Sequence, residues 1–177
     1  MSAPLNSLTT GSYATLEWRQ TKTMGRDSEL AADDRAIGTL TFRSAWGTLA
    51  TGAIGSACWT FKRVGFFQQR VQVRECGSDE PIAQFANATW RGGGTLTVRG
   101  GREFRMTTNW WNTKWEVQEA DGRVLLRFDY GGAFRRRAHV KISHEARALP
   151  DLPLLVAVSW YLIVMLLDDA SSAAIIG

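Results

Sequence analysis

Residues 152–167 read LPLLVAVSWYLIVMLL, sixteen positions without a charge. A helix apolar on every side cannot lie on a protein surface, so it has to be enclosed by protein or by lipid. At 1.5 Å per residue the run reaches about 24 Å, short of the roughly 30 Å of hydrocarbon that a spanning helix crosses. Length therefore favours enclosure by protein. Pro153 suits a first helical turn, where its missing N–H is not needed, and Asp151 stands where an N-cap is expected. Asp168 and Asp169 stop the apolar run, with negative charge where the helix dipole is also negative, a cost unless basic groups lie nearby. The reading is a core helix over 152–167. A tail-anchored membrane protein is an alternative, disfavoured by flanks in which only Arg147 is close enough to meet headgroups.

Upstream, the chain is written in short alternating runs. Tyr13 to Arg19, Ile37 to Arg43, Cys58 to Lys62 and Phe67 to Glu75 carry alternating apolar residues, the pattern of half-buried strands, and Ile82 to Thr89 reads as another strand after the turn residues Gly77-Ser78-Asp79 and Pro81. Between the first two, 21–36 is polar and charged and reads as a loop, and Trp46-Gly47 reads as a turn. The small residues of 48–56 describe a weak or bent strand to which something approaches closely. Two hairpins are the clearest local signals. Leu96 and Val98 meet Phe104 and Met106 across Gly100-Gly101, and Lys114 to Glu119 meets Val124 to Tyr130 across Ala120-Asp121-Gly122-Arg123. Arg135 to His144 is the last strand before the helix.

So many strand edges need hiding, and closing the sheet into a barrel hides them. About twelve strands at roughly 4.8 Å spacing, tilted by about 40°, give a backbone diameter on the order of 24 Å. Inward side chains then leave a channel of about 10 to 12 Å, the girth of one α-helix. The expected fold is all-β with one helix: a closed antiparallel barrel of about twelve strands enclosing the C-terminal segment. Residues 1–12 read as a flexible N-terminal segment, and 13–177 as one domain.

Composition bounds the rest. With 45% hydrophobic and 21% charged residues, no long section is expected to be disordered. The net charge of +4, carried mainly by arginine, and a pI near 9.4 permit an anionic partner. No basic or apolar leader is visible in the first ten residues, which places the expectation in the cytoplasm, peripheral to a membrane if lipid binds. Cys58 and Cys76 show no metal-ligand spacing and read as two thiols in a reducing compartment.

The densest positive cluster is Arg135, Arg136 and Arg137 with Lys141, and Arg102 and Arg105 extend it if their hairpin lies alongside. Guanidinium groups take phosphate in a bidentate way, so this set is the candidate site for anionic lipid, against the plainer reading of a solvated strand end. Trp110-Trp111 with Trp115 offer an interfacial anchor or, more simply, rings lining a barrel wall. Nothing marks an enzyme. His139 and His144 do not form a pair, the glycines at 92–94 match neither a dinucleotide fingerprint nor a P-loop, and Ser159 sits in the apolar helix without a nucleophile elbow. Asp33-Asp34 and Asp168-Asp169 lack the further oxygens a calcium site needs. No cofactor or metal and no nucleic-acid partner is expected.

The hairpin VQEADGRVLLRFDY, the basic strand RRRAHVKIS and the closing helix LPLLVAVSWYLIVMLLDD together resemble the tubby-like C-terminal domain superfamily, which includes the LURP-one-related proteins and the phospholipid scramblases. The likeness is one of pattern and element order, and no binding residue is carried over. It implies a cytosolic barrel that meets phosphoinositides or other anionic phospholipids at a basic surface. The palmitoylated cysteine cluster of scramblases has no counterpart here. The function expected is a non-enzymatic binding module for anionic membrane phospholipid, with a structural or regulatory protein-interaction scaffold as the alternative.

Overall fold

The computed structural model describes Leu8 and residues 14–65, 69–87, 93–131 and 135–175. Sequence readings that fall on Tyr13, Phe67, Thr89, Gly92, 176–177 and all of 1–12 except Leu8 lie outside these. Leu8 itself is buried with the core.

The strands are β1 (Leu16–Gln20), β2 (Ser28–Ala32), β3 (Arg35–Phe42), β4 (Ala50–Ile54), β5 (Ala57–Val64) and β6 (Arg70–Glu75). They continue as β7 (Pro81–Asn87), β8 (Gly94–Val98), β9 (Glu103–Thr108), β10 (Lys114–Gln118), β11 (Val124–Gly131) and β12 (Arg137–Ile142). Each pairs antiparallel with its neighbour in the chain, and β1 pairs with β12, Trp18 opposite Ala138, to close the barrel. A short 3-10 turn, Glu145–Ala148, leads into the helix α1 (Leu152–Ile175).

Alternation puts one set of side chains inside. Leu30, Leu40, Phe61, Val73, Leu96, Phe104, Val117 and Phe128 face inward and are buried, while Arg127, Glu116, Lys141 and Asp129 face out. Charged outward positions distinguish this wall from the apolar band of a bilayer-spanning barrel. The channel is filled by α1, whose residues from Leu152 to Met165 are all buried. The helix is long and apolar enough to cross a membrane, and its most apolar stretch is 78% buried inside the barrel. It starts as expected: the Leu155 N–H donates to the Asp151 carbonyl at 2.9 Å, with Pro153 in the first turn.

Aromatic rings fit the helix to the wall. Trp160 stacks on Trp18 at 6.0 Å, and Tyr161 lies between Phe42 at 5.8 Å and Phe61 at 5.3 Å. The Tyr161 hydroxyl donates to the Thr48 carbonyl at 2.6 Å, and burial pushes its pKa up to about 12, so it stays a neutral donor. On the β4 side the helix comes closest where the sequence is smallest. A Cβ at Gly52 would stand 2.6 Å from the Phe61 ring and 3.6 Å from Ala157 Cβ. This is the close approach that the small residues of 48–56 imply. Gly52→Val should therefore cost about 1–3 kcal/mol through overpacking against the Phe61 ring, read as a lower urea midpoint with an unchanged slope; a neutral result would mean the Phe61 ring does not press on Gly52.

Three readings are corrected. The segment read as a loop, 21–36, contains β2, whose Ser28 and Leu30 face inward and are buried. The helix does not end at 167 but continues through the aspartates to Ile175, because basic groups meet them there. Cys58 and Cys76 are not free thiols but a disulfide, with Cα atoms 5.4 Å apart. They extend the β5–β6 pairing by one position beyond Trp59 and Glu75, which sets their Cβ atoms side by side.

Candidate functional site

Because strands alternate in direction, every connection from an odd strand to the next even one lies at one end of the barrel. Connections from even to odd lie at the other. Arg63, at the end of β5, bonds Asp169 of the helix, so the first set surrounds the place where α1 leaves the barrel. This exit end comprises the β1–β2 connection (21–27), the β3–β4 connection (43–49) and the β9–β10 connection (109–113), with the connections β5–β6, β7–β8 and β11–β12 between them.

The helix is tied down at its exit. Asp168 accepts from Arg26 at 3.2 Å and from Arg136 at 2.7 Å, and Asp169 takes both Nη atoms of Arg63 at 3.1 and 2.9 Å. Arg26 is 12% exposed, lies over the Phe42 ring at 4.1 Å, and donates its other Nη to the Ser44 and Gly47 carbonyls at 2.7 and 2.6 Å. The aspartates thus hold arginines from the starts of β2 and β12 and the end of β5. Asp168→Ala should cost about 2 kcal/mol, below the full penalty for orphaning a buried pair because these groups keep some solvent. Chemical denaturation checks this, and an unchanged midpoint would show that the cluster carries no stability.

The sequence-derived site is only partly assembled. Arg135 is exposed, with its Nε 3.4 Å from Thr23 Oγ1, while Arg136 turns inward to Asp168. Arg137 faces outward 3.9 Å from Glu17, and Lys141 is held by Asp129 at 3.0 Å. Arg105 is exposed on the outer wall and Arg102 bonds Glu119 at the opposite end, in the β8–β9 turn. Arg135, Arg136 and Arg137 share the exit end, and Arg102 does not join them.

The exit end has a different set of free charges. Lys22, Arg43, Lys114 and Arg135 are exposed there and make no ion pair with a described residue. Three acids there are committed: Asp27 accepts the Phe42 N–H at 2.8 Å, and Asp168 and Asp169 hold the arginines. The far end is rich in acid, with Asp33, Asp34, Glu75, Asp79, Glu80 and Asp121 in its turns. There the Arg123 backbone N–H and guanidinium hold Asp121 below the usual carboxylate range.

Large apolar side chains sort the same way. Met24, Trp46, Trp110, Trp111 and Ile175 are exposed, and all five stand at the exit end. Trp115, by contrast, is buried in the wall. Sequence reading missed Met24, Trp46, Lys22 and Arg43; the available signal was an apolar residue inside an otherwise polar connection, together with the parity of strands that gathers those connections.

Two hollows flank the helix. At the exit end a recess of about 50 Å³ lies between Val71, Phe85, Leu162 and Met165, rimmed by Arg63 and Asp169. At the far end a groove of about 480 Å³ is lined by Trp59, Ile82, Pro153, Leu154 and the disulfide. Among the described residues no group of His, Cys, Asp and Glu side chains is placed to hold a metal ion. Ser159 is fully buried within α1.

The class this defines is a closed twelve-stranded antiparallel barrel plugged by its own C-terminal helix, with one end basic and aromatic. No protein-family model, curated protein or solved structure matches the chain.

Proposed function

We propose that the chain is a non-enzymatic binding module, tubby-like in kind, that docks on an anionic phospholipid surface through the exit end of its barrel. The observation that carries this is the separation of charge: cations without an ion pair among the described residues crowd one end, where Asp27, Asp168 and Asp169 are already held by partners. Each Lys or Arg near an anionic bilayer surface contributes about 1 kcal/mol, roughly fivefold in affinity. The apolar run of α1 is spent inside the barrel, which favours a peripheral protein over a tail-anchored one. The Cys58–Cys76 bridge persists where the surroundings are oxidising, which weighs against a reducing cytoplasm.

Vesicle sedimentation at low salt tests the reading. The protein should pellet with vesicles containing phosphatidylserine, much less with pure phosphatidylcholine, and come off as salt rises. Lys22→Glu, Arg43→Glu and Arg135→Glu together should lower affinity by about 100-fold, whereas Arg102→Glu with Arg105→Glu, away from the exit end, should leave it within about threefold. Equal sedimentation with acidic and neutral vesicles would refute the proposal. The far-end groove of about 480 Å³ favours a second reading, a scaffold for a protein partner with no lipid ligand. A partner whose capture is lost on Trp59 or Leu154 substitution, without vesicle binding, would establish that one.

A further inference from the structure

We infer that the barrel stands upright on the bilayer, exit end down, and inserts Met24, Trp46, Trp110 and Trp111 at the boundary between headgroups and acyl chains. This rests on the membrane reading above and adds to it an orientation and an apolar component of binding. Exposure gives the first reason: Met24 is 99% and Trp46 95% exposed, Trp110 73% and Trp111 78%. Large apolar side chains in such numbers at one end of a folded domain mark an interaction surface.

Placement decides what kind of partner fits. The β3–β4 connection with Trp46 and the β9–β10 connection with Trp110 and Trp111 are halfway round the barrel from each other. Two paired-strand connections separate them on either side. A barrel of this size puts them on the order of 20 to 25 Å apart, with the tail of α1 rising between them. A peptide or a small ligand would engage one side of the mouth; a plane engages both.

Both aromatic connections are also held rigid. Arg26 clamps the carbonyls of Ser44 and Gly47 on either side of Trp46, and the Gly47 N–H donates to Ser44 Oγ at 2.9 Å. In the other connection Asn109 Oδ1 accepts from the Thr113 and Lys114 N–H groups at 2.8 and 2.9 Å. Asn112 there takes a φ of 51°, which asparagine tolerates, and the turn so formed presents the two indoles outward. Connections whose backbone is fixed in this way lose little conformational freedom on insertion. Tryptophan favours the headgroup level because its ring is apolar and its N–H polar, and Lys22, Arg43 and Arg135 beside it supply the cations that anionic headgroups meet.

The experiment is tryptophan fluorescence with phosphatidylcholine vesicles containing phosphatidylserine, in which the acyl chains carry bromine near the headgroup. Binding should shift emission to the blue, and brominated lipid should quench it relative to unbrominated lipid. Trp46→Ser, Trp110→Ser and Trp111→Ser combined should abolish the bromine quenching and weaken vesicle affinity by more than about tenfold, with the thermal midpoint unchanged because all three rings are exposed. Vesicle binding that persists without bromine quenching, and at full affinity in the triple variant, would overturn insertion and leave the electrostatic reading standing. Failure to bind acidic vesicles at all would remove the membrane reading itself, and a protein partner lost in the triple variant would then assign this surface to protein.

Discussion

Trp160→Ala should lower the free energy of unfolding by about 3–5 kcal/mol, the range for truncating a buried aromatic side chain. Trp160 is fully buried on a helix surrounded by strands and stacks on Trp18 at 6.0 Å. A closed barrel cannot collapse onto the vacated space, so the loss of contacts is felt in full. One term works in the other direction: Trp160 Nε1 is buried without a hydrogen-bond partner among the described residues, and its removal relieves that cost. Trp160→Phe should accordingly be much milder than the alanine variant. Urea unfolding followed by far-UV circular dichroism measures both, with Trp46→Ala as a control expected to shift stability by less than about 0.5 kcal/mol. Were Trp160→Ala as mild as the control, the helix could not be packed inside the barrel.

Replacing Cys58 and Cys76 together by serine should cost about 3 kcal/mol, as expected for releasing a loop of this size. The cysteines are 18 positions apart, and their bridge staples β5 to the turn after β6 at the far end, next to the first turn of α1. Reductant should produce the same loss in the wild type and none in the double variant. Thiol titration of the native, unreduced protein should find no free cysteine. Two reactive thiols in the native state, or a wild type indifferent to reductant, would rule out the bridge.

Much of the barrel was legible because its signals are local. The β8–β9 hairpin follows from Gly100-Gly101, both at positive φ, between alternating runs. The features that escaped depend on partners far off in sequence. β2 reads SELAA, and nothing in those letters announces a strand. It forms because Leu30 faces the core and both edges find partners in β1 and β3. The helix passes Asp168 and Asp169 because arginines 142 and 106 positions away neutralise them. The disulfide depends on a register that composition does not reveal. The candidate site was the least visible. Trp18, Trp59, Trp115 and Trp160 lie in strands or the helix and pack inside, while Trp46, Trp110 and Trp111 lie in connections and stand in solvent; that these connections share one end follows from the parity of the strands.

Amide hydrogen exchange of the wild type in buffer free of lipid and detergent tests the plug most directly. Amides from Leu155 to Met165 should exchange only through global unfolding, with the same free energy as the strands, while Ala170 to Ile175 exchange quickly beyond the mouth. Fast exchange across 155–165, or protection that appears only when vesicles or detergent are added, would contradict the account, since it would give the apolar segment to lipid and leave the barrel without its filling.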